Sequence, residues 1–208
     1  MRFGARDRFG AQFGAQFSAH MRWLSSGVGF AALAGCASDP EPGVFVGAIE
    51  GSDSVVGVVT DGEAGLAYLC GGSMSMYTHH AWVPLSFGRD GALAGEGGGA
   101  EISLEPDEAD GYSGRVIDPD GVELTVDLAR GAAPEGPYEA EVDSDCPAGA
   151  VVFERDGRLL LQGVVCVAAI PAQVVPVGQI TSDGAGIRVR ADLAADPPLE
   201  FQVSPASP

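Results

Sequence analysis

The chain has 208 residues and carries 11 basic against 29 acidic side chains, with arginine as its only strongly basic residue. A surface with so much negative charge repels nucleic acid and anionic lipid headgroups, which argues against a nucleic-acid-binding function. The length is sufficient for a domain with a sizeable hydrophobic core.

The N-terminal segment has the features of a secretion signal. Arg22 precedes an apolar stretch of 12 residues, from Trp23 to Ala34. A membrane-spanning helix needs roughly 20 residues, so this stretch is too short to be one. We therefore expect residues 1–35 to be a signal peptide, disordered or helical. Residues 1–20 consist of short repeats, and Met21 is an alternative translation start.

The leader ends in Leu33-Ala34-Gly35-Cys36, which resembles the lipobox of bacterial lipoproteins. The resemblance covers only the leader and implies that Cys36 carries a lipid, such as palmitate, which holds the protein at a membrane. The alternatives are an ordinary signal peptide that contains a cysteine, and a buried structural cysteine. Residue 37 is alanine and not the aspartate that retains enteric lipoproteins at the inner membrane, which favours the outer membrane. Residues 36–43 read as a lipid-anchored tether.

The predicted mature part keeps 7 basic and 28 acidic residues, a balance that favours solubility and attracts divalent cations weakly. Apolar residues alternate with polar ones, as in half-buried strands. This pattern is clearest at Val122, Leu124, Val126 and Leu128, at Ala100, Ile102 and Leu104, and at Ile187, Val189, Ala191 and Leu193.

Twelve short strands follow from this alternation and from recurrent Asp-Gly turns, the strongest of which is Asp118-Pro119-Asp120-Gly121. The fold class is all-β, an antiparallel meander that closes into a barrel or folds into a sandwich. We expect one β domain over residues 44–203 and a tail at 204–208. The strands are predicted at 44–50, 54–60, 65–70, 80–87, 100–105, 112–117, 122–129, 137–142, 149–154, 158–167, 173–180 and 187–193.

The two halves of this domain repeat each other weakly. Val44 to Val46 leads to Asp61-Gly62 and then Cys70, much as Tyr138 leads to Asp156-Gly157 and then Cys166. An old duplication or a chance echo in a compositionally biased β chain would both produce this pattern. Beyond the leader, the domain resembles only uncharacterised exported bacterial β proteins.

With Cys36 assigned to the lipid, Cys70, Cys146 and Cys166 remain, and the predicted compartment is oxidising. Cys146 and Cys166 flank the hairpin at Asp156-Gly157, ten residues to either side. Antiparallel pairing brings them opposite one another, so we predict a disulfide between them. Cys70, which ends an apolar run, is predicted to be a buried thiol.

His79, His80 and Trp82 are the remaining candidates for a site. Successive strand residues point to opposite faces, so the two histidines chelate one metal ion only if they lie in a loop. Trp82 faces away from Ala81 and Val83, either as a half-buried strand aromatic or lining a ligand mouth.

No serine-hydrolase elbow is present, and the acidic run from Glu105 to Gly111 lacks the ligand spacing of an EF-hand. We interpret this run as a solvated turn, with a calcium loop as the alternative. No cofactor is indicated.

These features predict a lipid-anchored extracytoplasmic β domain that acts as a non-enzymatic binding or envelope-structural module. The alternative is a metal-dependent enzyme or a small-ligand-binding barrel that uses His79 or His80 with acidic partners. The expected partner is a membrane, reached through the lipid anchor, and the sequence identifies no protein or small-molecule partner.

Overall fold

The structure is a computed structural model that describes residues 41–142, 144, 146–181, 186–193 and 197–208. The predicted signal peptide, Cys36 and most of the tether lie outside the described residues. No helix in the described part of the chain is long and apolar enough to span a membrane. The described chain is all-β apart from one short 3-10 turn, Arg89–Gly91.

Eight consecutive strands form a first closed antiparallel barrel, in which each strand pairs with its neighbours in sequence. The barrel closes where β1 pairs with β8, through Phe45 opposite Arg130 and Val46 opposite Ala129. The strands are β1 (Gly43–Ala48), β2 (Val55–Thr60), β3 (Ala64–Cys70), β4 (His80–Phe87), β5 (Leu93–Gly97), β6 (Ala100–Pro106), β7 (Tyr112–Ile117) and β8 (Glu123–Arg130).

Six further strands form a second closed antiparallel barrel, which is completed by pairing of the last strand with the first. The strands are β9 (Gly136–Ala140), β10 (Gly149–Arg155), β11 (Arg158–Val167), β12 (Ile170–Pro176), β13 (Ile187–Ala191) and β14 (Glu200–Pro205). Within the described residues, closure pairs the first and last strand of each sheet, so that neither sheet has an open edge. Both barrels belong to one compact unit, Ala37–Pro208.

The predicted alternation places apolar side chains inside the barrels. Ile102, Leu104, Val126 and Leu128 are at most 1% exposed in the first barrel. Ile187, Val189 and Ala191 belong to the core of the second barrel. Val122 departs from the pattern with 51% exposure, because it lies in the turn before β8 and not on the strand.

The strongest predicted turn is confirmed between β7 and β8. The N–H of Gly121 donates to the carbonyl of Asp118 at 2.9 Å, and Gly121 has φ +80°, which glycine adopts without strain. The Asp118 carboxylate also accepts the N–H groups of Asp120 and Val122. One aspartate therefore caps the whole hairpin turn.

Two strands were not predicted. β5, Leu93-Ala-Gly-Glu-Gly97, has two glycines and no β-branched residue, so its strand propensity is weak. β14 is the second unpredicted strand, and it runs to Pro205, two residues past the predicted domain end. β12 was predicted, but it begins three residues earlier, at Ile170. Pairing with neighbouring strands, which the local sequence does not encode, forms all three elements.

The echo between the two halves falls at corresponding places in the two barrels. Asp61-Gly62 joins the second and third strands of the first barrel, and Asp156-Gly157 joins the second and third strands of the other. Cys70 ends β3, and Cys166 is the penultimate residue of β11. The correspondence between the two barrels does not extend over all their strands, because one barrel has eight strands and the other has six.

A third apolar cluster lies between the barrels, on their outer faces. It comprises Val46, Val55, Tyr68, Cys70, Val151, Phe153 and Val164. These strand positions are apolar on both faces of the sheet, which explains the continuous apolar runs of β2 and β10. We call this contact region the junction.

Candidate functional site

The structure brings together four of the predicted site residues at the junction: His80, Trp82, Cys146 and Cys166. His80 and Trp82 lie on the outer face of β4. Cys166 belongs to β11, and Cys146 lies in the segment before β10. His79 is directed to the other side of the sheet, as the alternation of side chains predicts.

Trp82 connects the two barrels. Its ring packs on Tyr68 with 4.5 Å between ring centroids, and its Nε1–H donates to the carbonyl of Ala148 at 3.1 Å. The Tyr68 hydroxyl donates to the carbonyl of Pro147 at 3.4 Å. A Cβ on Gly149 would lie 2.7 Å from the Trp82 ring, so only glycine fits there. The polar edge of Trp82 is therefore used within the protein.

Two glutamines add hydrogen bonds across the junction. The Gln162 side chain donates to the carbonyls of Asp53 and Cys70 at 3.0 and 2.9 Å, and Gln173 donates to the carbonyl of Gly71 at 2.9 Å. These bonds satisfy carbonyls at the end of β3 and in the loop after β1. They also fix the loop between β3 and β4 against the second barrel.

The predicted disulfide between Cys146 and Cys166 is present, with 5.5 Å between the Cα atoms. Within the β10–β11 hairpin, Gly149 lies opposite Val164, so Cys146 lies just beyond the paired part. Cys166 is buried and Cys146 is half-buried. Continued to Cys146, this register points to Val167, the neighbour of Cys166, so the predicted pairing agrees with the hairpin to within one residue.

His80 lies beside this disulfide. One ring nitrogen of His80 and the two sulfur atoms lie within 4.8 Å of one another. The Nδ1 atom of His80 is 2.8 Å from the carbonyl oxygen of Met76. A carbonyl only accepts hydrogen bonds, so Nδ1 carries the hydrogen, and in the neutral ring Nε2 has a free lone pair.

Cys70 is fully buried and unbridged. Burial raises the pKa of its thiol far above the ordinary value of 9.0, and the nearby Asp53 charge adds to this effect. A thiol that does not ionise is a poor nucleophile and a poor metal ligand. The structure therefore supports the prediction of a structural role for Cys70.

His79 belongs to a hydrogen-bonded chain that the sequence did not predict, which is buried at Ser54, His79 and Asp118 and half-buried at its other end. Its Nε2 is 3.2 Å from a carboxylate oxygen of Asp118, and its Nδ1 is 2.6 Å from the hydroxyl of Ser54. Ser54 is 2.6 Å from the hydroxyl of Ser75, which donates to the carboxylate of Asp53. We call these five residues the buried chain.

Counting hydrogens fixes the direction of the two end bonds of the buried chain. Carboxylates only accept, so Ser75 donates to Asp53 and His79 Nε2 donates to Asp118. The one hydrogen of Ser54 goes either to Ser75 or to Nδ1 of His79.

Ser54, His79 and Asp118 are the residue types of a hydrolytic triad, but their arrangement differs from one. In a triad the serine bonds to Nε2 and the acid to Nδ1, which is the reverse of the order here. Ser54 is 1% exposed and His79 is 4% exposed, so the hydroxyl does not face a substrate space. These hydrogen bonds hold together the loop after β1, the loop after β3 and the turn after β7.

Both carboxylates of the buried chain are stabilised in the ionised form. Burial alone would raise the pKa of Asp118, but hydrogen bonds from the Val122 N–H, the His79 ring and the Asp120 N–H outweigh this and lower the pKa below 3.8. In Asp53, hydrogen bonds from the Ser75 hydroxyl and the Met74 N–H outweigh burial in the same way. Ionised ends are consistent with the directions derived above.

A shallow cleft of about 290 Å³ lies at an end of the first barrel. The rings of Phe45 and Tyr112 meet edge to face there, with 4.8 Å between centroids. Arg130 lies 5.0 Å above the Phe45 ring and pairs with Asp110 at 2.6 Å. The predicted acidic turn forms part of the wall, and Asp107 accepts N–H groups of its own turn. This geometry agrees with a solvated turn.

The chain matches no family model, no curated protein and no solved structure. Its function is therefore inferred from its own residues.

Proposed function

We propose that the chain is a lipid-anchored extracytoplasmic protein whose two barrels form a non-enzymatic binding or structural module of the cell envelope. The Cys146–Cys166 disulfide carries the proposal, because structural disulfides persist in oxidising compartments and are rare in the cytosol. The leader sequence ending at Cys36 supplies the route of export and the point of lipid attachment.

A non-enzymatic role is supported by the way the polar side chains are used. Ser54 and His79 are buried, and Asp118 is bound to its own turn as well as to His79. This argues against the alternative in which His79 and an acidic partner act on a substrate. Apolar side chains fill the interior of each barrel, which argues against a barrel that holds a small ligand.

The proposed destination is the outer membrane, because Ala37 follows the lipidated cysteine. A tether over residues 36–43 would hold the first strand, which begins at Gly43, within about 25 Å of the membrane surface. The acidic surface of the unit would keep the barrels away from anionic headgroups and leave the lipid as the attachment.

The test is metabolic labelling of the full chain with a radiolabelled fatty acid in a bacterial host. Wild type and Cys70→Ala, the matched control that lacks a different thiol, should be labelled and should fractionate with outer-membrane markers. Cys36→Ala should be unlabelled and should remain uncleaved at this position. Label on the Cys36→Ala protein, or an unlabelled wild type, would refute lipid attachment at Cys36.

A further inference from the structure

Three metal-ligating side chains from three separate segments meet at the junction. His80 begins β4 of the first barrel, Cys146 precedes β10, and Cys166 lies near the end of β11 of the second barrel. Their ligand atoms lie within 4.8 Å of one another. The bridge links the two sulfurs to each other, so neither is a thiolate in this state.

We propose that reduction of the Cys146–Cys166 bridge converts this cluster into a binding site for a zinc-class divalent ion, with two thiolates and the His80 imidazole as ligands. Such ions prefer sulfur and nitrogen ligands in a tetrahedral arrangement. Metal-ligand bonds of about 2.0–2.3 Å place the ligand atoms of one ion about 3.5–3.8 Å apart. After reduction the two sulfurs move apart from bonding distance, about 2 Å, to this spacing, and the His80 nitrogen moves towards them by up to about 1 Å.

One ring nitrogen of His80 is already held by a hydrogen bond within the protein. Metal-binding histidines commonly donate their second ring N–H to a carbonyl or carboxylate, which fixes the ring and its tautomer. His80 makes this bond from Nδ1 to the carbonyl of Met76 at 2.8 Å. Nε2 is therefore the nitrogen left to bind the ion.

The site is partly accessible to solvent. Cys166 is 4% exposed, whereas His80 and Cys146 are half-buried. A three-ligand site with an open side takes water or an external group as its fourth ligand. The strongly negative net charge of the chain favours the approach of a cation.

The redox change balances as a two-electron exchange. A dithiol reductant gives two electrons and two protons to the bridge and becomes a disulfide itself, which leaves thiols at Cys146 and Cys166. On binding the ion, each thiol releases its proton to solvent and becomes a thiolate. In the reverse step, the disulfide form of such a dithiol takes the two electrons back and two protons from solvent, which re-forms the bridge and expels the ion. Binding therefore depends on the redox state of Cys146 and Cys166.

The test uses the full chain with Co²⁺ as a spectroscopic probe. The protein is reduced with a phosphine, freed of reductant without air, and titrated with Co²⁺. We expect one ion per chain, with thiolate-to-cobalt charge-transfer bands and the visible bands of tetrahedral cobalt, both removed by Zn²⁺. Protein with the bridge intact should show neither band.

Variants identify the ligands. His80→Ala should weaken Co²⁺ binding by about ten-fold or more, and Cys146→Ser should remove the two-thiolate spectrum. Cys70→Ser is the matched control and should bind like wild type. Equal binding by His80→Ala and wild type, or cobalt bands in the bridged protein, would overturn the proposal.

A second measurement on wild type needs no variant to fold. Zn²⁺ should slow alkylation of Cys146 and Cys166 in the reduced protein by about ten-fold or more and leave the alkylation of Cys70 unchanged, as read by peptide mass mapping. Equal alkylation rates with and without Zn²⁺ would overturn the site.

Discussion

Replacement of Asp118 by alanine tests the buried chain most directly. The Asp118 carboxylate accepts two backbone N–H bonds from its own turn and a third bond from the His79 ring, which is 4% exposed. The substitution removes all three bonds and leaves the His79 N–H buried without its acceptor. A hydrogen bond to a charged group contributes about 1.5–3 kcal/mol, and an unsatisfied buried donor costs about 1–3 kcal/mol.

We therefore expect Asp118→Ala to lower the free energy of unfolding by about 3–4 kcal/mol at neutral pH. Urea unfolding, followed by the fluorescence of Trp82 in protein lacking the leader, measures this difference. Asp61→Ala is the matched control, because Asp61 accepts the N–H groups of Glu63 and Ala64 in an exposed turn and has no contact with a histidine. It should lose clearly less stability.

The pH dependence provides a second check. The pKa of Asp118 is lower in the folded protein than its ordinary value of 3.8, so its stabilising effect is complete well above that value. The effect is lost as the pH falls through the lowered pKa of the folded state. The stability difference between wild type and Asp118→Ala should therefore narrow below about pH 4. Equal losses in Asp118→Ala and Asp61→Ala, or a gap that widens in acid, would show that the buried chain contributes no stability.

The remaining predictions concern the bridge, a close approach between strands and the free thiol. Replacing Cys146 and Cys166 together by alanine should lower the free energy of unfolding by about 3 kcal/mol, because the bridge closes a loop with a sequence separation of 20. A urea unfolding curve that is unchanged from the bridged wild type would contradict this. Gly47→Ala should lower the free energy of unfolding by about 3 kcal/mol, measured by thermal unfolding, because its Cβ would lie 2.0 Å from the Asp127 carbonyl oxygen. Gly51→Ala is the control: its Cβ meets no atom within 4 Å, and only its φ of +73° is unfavourable, so it should cost about 1 kcal/mol. Equal costs would refute the steric reason. Cys70 should resist iodoacetamide in the native protein and react after denaturation, because burial raises its pKa; fast native alkylation would show that the site opens.

Local patterns in the sequence determined much of the architecture. The period-two alternation of β6 and β8 identifies strands because it depends only on residues two apart. The Asp118 to Gly121 turn and the Cys146–Cys166 bridge are also local, since a hairpin brings near neighbours in sequence together. The opposite orientation of His79 and His80 followed from the same alternation.

Tertiary structure alone decided where the sheets close and what meets across them. Phe45 pairs with Arg130, and Val203 pairs with Ala140, through backbone hydrogen bonds that carry no residue signature. The choice of two barrels over one barrel or a sandwich depends on these pairings. The short strand β5 is likewise formed by pairing with its neighbours and not by its propensity.

Both side-chain clusters, the buried chain and the His80 cluster, depend on these long-range contacts. Ser54, His79 and Asp118 are separated by 25 and 39 residues, and no motif links them. His80 meets the Cys146–Cys166 bridge only because β4 of one barrel packs against the other barrel. Residue types and their local spacing show which side chains are able to form a polar or metal-binding cluster. The contacts among these side chains arise from barrel closure and from the packing of two outer faces, which the sequence pattern identifies only as apolar.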